Sequence, residues 1–495
     1  MVIFTSPERS LKTITENQSQ SPQEWAVEHF GGAELSHVKR VDRAITIAEA
    51  MAASPGKSLP QMFAHSYDIK AAYQFFRHPE ATPDNLQSGH RERVLCDMEK
   101  PGRYLLLEDT SEILCTQTGE IVELGPVGSS KNAQIGFHLH SVLAVRWPSE
   151  PNTAVPRRST VEILGLADQQ YHVRQPRPTG VGPKTSARRV RPADSLESSL
   201  WEKTSRRIGP APTNEAVNWI KVADRAADIY DHLRECREQN HQFVVRANLD
   251  RALLTEDGKR AGQLFATTQV SPSCGQLELE LRTRKGQAAR QAHLEVSFTP
   301  VVMRSPQTAG YPSGARPPIV CTAVRVWEPN PPEGIKPLEW IVLTDLKVTN
   351  FEQACEIAQM YATRWLVEEF HKALKTGMDA EGAQLETAEA WFAVVAMKSV
   401  AALRLIELRE RTKLVPEAPA ESSGLSQLEL QVLRARLDKP IRTVREVALA
   451  IGRLGGHLNR KGDGMPGWIT LWQGWQLLQN LVEGVLIARK LTNSG

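Results

Sequence analysis

YATRWLVEEFHKALK, residues 361–375, is the stretch whose reading decides the fold. On a helix at about 100° per residue with Tyr361 at zero, Arg364 falls near 300°, Glu368 near 340°, Lys372 near 20° and Lys375 near 320°. Ala362, Leu366, Val367, Phe370, Ala373 and Leu374 fill the opposite arc. One face is therefore core, and the other gathers a phenol, a guanidinium, a carboxylate and two ammonium groups in a narrow wedge. Glu369, near 80°, lies at the edge of the apolar arc. Asn350 and Gln353 offer a capping-box start just upstream. Spacing alone does not separate a chemical site from a surface helix with salt-bridged charges, and the latter is the commoner arrangement.

Working outward, 495 residues make room for about three domains and a large core. The net charge of +3 diagnoses nothing by itself, so any nucleic-acid binding rests on local clusters. The six cysteines, at 96, 115, 236, 274, 321 and 355, form no CxxC pair. That pattern argues against a zinc ribbon or a disulfide framework and fits a reducing cytoplasm. The first twenty residues lack an apolar segment, which leaves no expectation of a signal peptide. No apolar run reaches the roughly 18 residues of a membrane span.

Residues 25–88 read as helices with short polar breaks. Ser36 is placed to cap a helix whose Val38, Val41, Ile45 and Ala48 keep helical spacing. From Arg103 the pattern turns to strands. RYLLLEDTSEI sets Asp109 on the face of Leu105 and Leu107, with Glu108 on the other face. Residues 137–147 and 159–173 read as two further strands. The segment 174–191 carries six basic residues and no acidic one, broken by Pro and Gly, and is expected to be a flexible loop able to touch phosphates. WIKVAD is a strand ending in Asp224, followed by a helix expected to carry Asp228 and Asp231 on its surface, so three aspartates compete there. Two-residue alternation from 251 to 339 predicts an antiparallel insertion. Trp340, in LEWIVLTD, reads most simply as strand core. Residues 385–412 and 426–437 read as long amphipathic helices, and 471–485 carries a further apolar stripe.

The pattern Tyr-x2-Arg-x3-Glu-x6-Lys, with EDT at 108–110 and DRAAD at 224–228, resembles the DDE transposases of the insertion-sequence-four class over nearly the whole chain. The resemblance implies a ribonuclease-H-like mixed α/β sheet flanked by helices, with an inserted antiparallel β-subdomain at about 251–339. It implies a helical end-binding domain at 1–88, a catalytic domain at 89–412 and a helical dimerisation domain at 413–495. Asp109, Asp224 and Glu368 then become the three metal-binding carboxylates, and Ala226 stands where the family motif has Glu. Tyr361, Arg364 and Lys375 become contacts to transposon-end DNA. Lys372 shares their face, and Arg43 and Arg77 match basic residues of the end-recognition domain. Trp340 matches a Trp that stacks on a flipped base. Hard oxygen donors from separate chain segments suit Mg2+, with Mn2+ as a substitute.

The implied activity is cut-and-paste transposition by a bacterial cytoplasmic protein. A homodimer pairs two ends of double-stranded DNA, nicks them, passes through a hairpin and joins the 3′ ends to target DNA. The rival is a catalytically inactive, DNA-binding repressor derived from such an enzyme. The intact Asp109, Asp224 and Glu368 set argues against it, since a pure binder has no use for three carboxylates held together.

Overall fold

The computed structural model describes residues 20–116, 121–128, 134–148, 160–175, 196–281, 289–306, 316–460 and 463–493. The expected basic loop lies outside the described residues beyond 175, as does the leader before residue 20. Arg174 pairs with Glu197 at 2.5 Å.

Five helices come first: α1 (Pro22–Phe30), α2 (Val38–Ala53), α3 (Leu59–Met62), α4 (Ser66–Phe76) and α5 (Pro83–Met98). Strands β1 (Gly102–Leu114), β2 (Gly125–Val127), β3 (Gln134–Trp147) and β4 (Glu162–His172) follow. Then come α6 (Leu200–Ile208), β5 (Val217–Ala223), α7 (Tyr230–Glu238) and β6 (Gln242–Arg246). Next are β7 (Ala252–Leu254), β8 (Arg260–Gln263), α8 (Leu264–Val270), β9 (Gly275–Leu281), β10 (Arg290–Met303), β11 (Ile319–Trp327) and β12 (Glu339–Thr344). The chain closes with α9 (Phe351–Thr363), α10 (Trp365–Lys372), α11 (Ala388–Leu414), α12 (Gln427–Leu437), α13 (Val444–Leu454) and α14 (Trp468–Asn493). The protein is thus mixed α/β, with a central mixed sheet and helical N- and C-terminal regions.

The residues sort into two compact units. The sheet unit comprises 94–111 and 139–368. In it β3, β1, β5, β6, β12, β11, β10, β7 and β8 lie side by side, with β4 on β3 and β9 on β10. β1 is parallel to β5 and β5 to β6. The strands from β6 to β12 and on to β7 pair antiparallel. The inserted strands therefore extend the central sheet through β12. β1 is buried without a break from Tyr104 to Glu108, as a strand covered on both faces must be. Trp201, Tyr230, Leu233 and Cys236 pack on Ala223, Phe243 and Val245 over one face.

The helical unit comprises 1–93, 112–138 and 369–495. In α2 the buried stripe is Ala44, Ile47, Ala48 and Met51, while Val38 stays 68% exposed. The expected stripe followed the most apolar residues; the observed one turns its small alanines inward, where close approach favours them. His37, not Ser36, caps this helix, its ring accepting from Lys39 N at 3.1 Å. The Ser36 hydroxyl instead donates to Glu80 at 2.6 Å, a stronger bond because its acceptor is charged. In the C-terminal region α13 and α14 meet backbone to backbone. A Cβ at Gly455 would stand 1.9 Å from the Thr470 carbonyl oxygen, and one at Gly474 1.8 Å from that of Ile451.

The opening stretch is not one regular helix. α9 ends at Thr363, Arg364 is a turn, α10 runs to Lys372, and Ala373–Gly377 is a π-helical turn. A π turn takes an extra residue per i→i+5 bond, so the even 100° spacing fails from Ala373 onward.

Candidate active site

The two strand-end aspartates owe their nearness to register. Gly102 pairs with Val217 and each later residue of β1 with its counterpart on β5, as far as Leu107 with Val222. Two steps on, the same offset sets Asp109 level with Asp224. Leu105 and Leu107 are fully buried on the face that Asp109 shares. Asp224 ends β5 and caps a 3-10 turn at Arg225–Ala227, its Oδ1 accepting from Ala226 N at 2.8 Å.

Its two rivals are otherwise engaged. Asp228, expected on a helix surface, is buried. It accepts from Asn248 N at 2.7 Å and Leu249 N at 2.8 Å and pairs with Arg251 at 2.6 Å. The helix does not begin at Asp224; α7 starts only at Tyr230, so Asp228 lies in the irregular link and turns inward to satisfy the 248–249 backbone. Asp231 pairs with Arg316 at 3.0 Å.

Glu368 reaches this pair from α10. Burial pushes its carboxyl above the usual range, Arg364 pulls it down, and the charges of Asp109 and Asp224 add to the rise. Arg364 stands among them. It donates to Glu368 and its Nη1 lies 3.9 Å from Asp109. Its side chain is only 11% exposed. Burial works against its charge, but Asp109, Tyr361 and Glu368 together hold the guanidinium above its ordinary value. Its Nε and Nη1 are buried without a hydrogen-bond partner among the described residues. Two guanidinium groups lie over the Tyr361 ring, Arg364 at 5.9 Å and Arg246 at 6.0 Å from its centre.

Trp340 lines a cavity of about 150 Å³ with Arg225, Arg246, Phe265 and Glu339. Its ring nitrogen is buried without a partner among the described residues, and so is Arg246 Nε. The sequence reading missed Arg225 and Arg246, which come from the turn after β5 and the end of β6. It also passed over Lys221, a fully buried lysine bonded to Glu108. The signal for Lys221 was present, as a charge amid the apolar run WIKVA.

The remaining candidates belong to the helical unit. Lys375 Nζ donates to the Glu112 carbonyl at 2.7 Å and pairs with Glu381 at 3.2 Å. Lys372 lies 5.1 Å over the Trp468 ring. Arg43 pairs with Asp68 at 3.3 Å, and Arg77 with Glu386 at 2.6 Å. Glu369, the neighbour of Glu368, pairs with Arg409 at 2.6 Å.

Carboxylate oxygens are the right donors for Mg2+ or Mn2+. Among the described residues no three His, Cys, Asp or Glu side chains lie close enough to hold one ion in common. The cation found between Asp109 and Glu368 is the guanidinium of Arg364. No described helix is long and apolar enough to cross a membrane.

Residues 22–81 match the transposase DNA-binding family, and residues 400–495 match the Tn5 transposase dimerisation domain. Among solved structures, the cryo-EM structure of the piggyBac transposase synaptic complex with hairpin DNA is similar over 86% of this chain and 80% of that one, at 9% identity and a TM-score of 0.33. The chain thus carries at its two ends matches to two domains of Tn5-like transposases, one for binding DNA and one for dimerisation.

Proposed function

We propose that the protein is a transposase that cuts and joins DNA by metal-dependent phosphodiester chemistry, with Asp109, Asp224 and Glu368 as metal ligands. The observation that carries the reading is the shared level of Asp109 and Asp224, with a third carboxyl whose proton affinity their charges raise. The strand order β4-β3-β1-β5-β6, with β1, β5 and β6 parallel, supports a ribonuclease-H-like sheet around them. Mg2+, when bound by these carboxylates, supplies a Lewis acid that activates an attacking oxygen and neutralises phosphate charge.

The chain's own residues divide the remaining work. Arg364 offsets the carboxylates' repulsion in the DNA-free protein, and its unpartnered N–H groups suit a phosphate oxygen. Tyr361 and Arg246 hold the neighbouring backbone of the DNA end. The cavity beside Trp340 has the size and lining for a flipped base: an aromatic face for stacking and two guanidinium groups for its phosphates. A base placed there leaves the strand bent, as a hairpin intermediate requires. Arg43 and Arg77 contact the transposon end from the N-terminal domain, and Lys372 and Lys375 contact it from the end of α10 and the turn that follows. Two copies, paired through their C-terminal domains, hold two ends for joining to target DNA in the bacterial cytoplasm.

The test is a supercoiled plasmid carrying candidate terminal repeats, incubated with the protein and Mg2+ or Mn2+. Excised ends and integrated products that need the cation support the reading. Retarded DNA with no cation-dependent cleavage at any repeat would point to the repressor instead.

A further inference from the structure

Arg364 sits where the helical stretch that carries Glu368 is interrupted. The turn between α9 and α10 closes on it with two tight i→i+3 bonds. Arg364 N donates to the Tyr361 carbonyl at 3.1 Å, and Val367 N to the Arg364 carbonyl at 3.0 Å. A turn of this kind within a helix often marks a hinge. Glu368 lies beyond it on α10, so Arg364 can swing its long side chain while α10 keeps the carboxylate in place.

The guanidinium lies against the carboxylates, bonded to Glu368 and with Nη1 3.9 Å from Asp109. It is more enclosed than either, at 11% exposed against 20% for Asp109 and 30% for Glu368. Both carboxylates therefore remain within reach of an ion from solvent, and what opposes its entry is charge. A divalent cation needs the oxygens that Arg364 holds. It also repels a guanidinium twice as strongly as a monovalent ion at the same distance. The two cations are competitors for one site.

Arg364 is not fully served where it lies. Its Nε and Nη1 are buried without a hydrogen-bond partner among the described residues, which costs free energy. Arg246, over the same Tyr361 ring, has a buried Nε in the same condition. A phosphate brought to Tyr361 thus meets two guanidinium groups short of acceptors, and it offers them charged ones. We infer that Arg364 is a gate on the cation site, holding the place of the metal until a phosphate of the DNA end draws it away. The inference rests on the reading of Asp109, Asp224 and Glu368 as metal ligands. It makes loading follow end binding, and linkage makes the coupling reciprocal. The factor by which end DNA tightens the cation is the factor by which the cation tightens end DNA.

The test is calorimetric titration of the full chain with Mn2+ in the absence of DNA, with thermal unfolding as the check of fold. Arg364→Gln should bind Mn2+ at least tenfold more tightly than the parent. Arg364→Lys, which keeps a cation at the hinge, should stay within about threefold of the parent. Glu368→Gln added to Arg364→Gln should remove the gain. If Arg364 only held the carboxylates together, Arg364→Gln would instead bind Mn2+ no better or more weakly, and that result would overturn the gate. A second measurement needs no change at Arg364: Ca2+ should tighten binding of an end duplex to the parent at least tenfold in a gel shift, and not to Glu368→Gln. Duplex affinity indifferent to Ca2+ would overturn the gate even if Arg364→Gln does not fold. Tight, Glu368-dependent Mn2+ binding by the parent without DNA would remove the gate and leave the metal site standing. Cation binding that Glu368→Gln never weakens, with duplex or without, would remove the metal reading itself.

Discussion

Arg364 of the sheet unit is held differently from Arg43 and Arg77 of the helical unit. Arg364 is nearly enclosed, bonded to Glu368 and near Asp109. Arg77 and its partner Glu386 are 53% and 74% exposed. Arg43 and Asp68 are intermediate, at 25% and 33%. An exposed pair contributes about 0–1 kcal/mol and exchanges readily for a phosphate. A guanidinium that is itself nearly enclosed, beside two partly exposed carboxylates, is screened less by water than a surface pair. Arg43 and Arg77 are therefore loosely held cations suited to meeting DNA, and Arg364 a fixed one suited to ordering the carboxylates around it.

The strongest way to break this contrast is at Glu368 and Glu369, adjacent in sequence but bonded to Arg364 and Arg409 respectively. Glu368→Gln keeps the shape and removes the charge a metal needs, so nicking and strand transfer should fall by more than about a thousandfold, over 4 kcal/mol. End binding in a gel shift should survive. Glu369→Gln should retain substantial cleavage. Robust cleavage by Glu368→Gln would end the metal-site reading.

Buried histidines give the next largest effect. Burial lowers His232 and His241 to about 3. Their neutral forms contribute stability that is complete above about pH 6.5 and is lost as pH falls toward the folded value. At pH 5 each should have cost about 2 kcal/mol, read as a falling unfolding midpoint between pH 7 and 5. His241→Gln should flatten that fall; an unchanged slope would remove His241 from the account.

Trp340→Ala should leave the first nick intact and slow hairpin formation or opening by about 5- to 150-fold, the equivalent of 1–3 kcal/mol of base stacking. Normal hairpin kinetics in a folded variant would return Trp340 to the strand core. The smallest effect belongs to the exposed pair. Glu386→Gln frees Arg77 and should tighten end binding by no more than about fivefold, since so little holds the pair. Arg77→Ala should lower the log–log salt slope by about 0.9. A slope unmoved by that change would mean that Arg77 touches no phosphate.

What the sequence revealed follows from how local each signal is. The LLL run before Glu108 and Asp109 announced a buried strand, and its alternation set those two residues on opposite faces, since a strand's faces are fixed by its own pleat. Trp340 could be placed on a strand, but not beside Arg225 and Arg246, because β5, β6 and β12 meet only through long-range pairing. The interruption at Arg364 and the π turn at 373–377 were hidden for a related reason. Apolar spacing over four helical turns tolerates one extra residue without losing its face. Asp228 was misread because an aspartate's burial depends on a distant backbone, here residues 248 and 249, asking for acceptors.

The crossing of α13 and α14 at Gly455 and Gly474 separates two duties that most helix contacts combine. Where side chains interlock, changing a surface residue tends to shift the helix that bears it. Here the spacing is set by main chain against main chain, so no rotamer can loosen the joint. Ile469, Leu477, Leu486, Ile487 and Leu491 remain exposed along α14. That outer edge can change its chemistry freely while the helix beneath it keeps its seat.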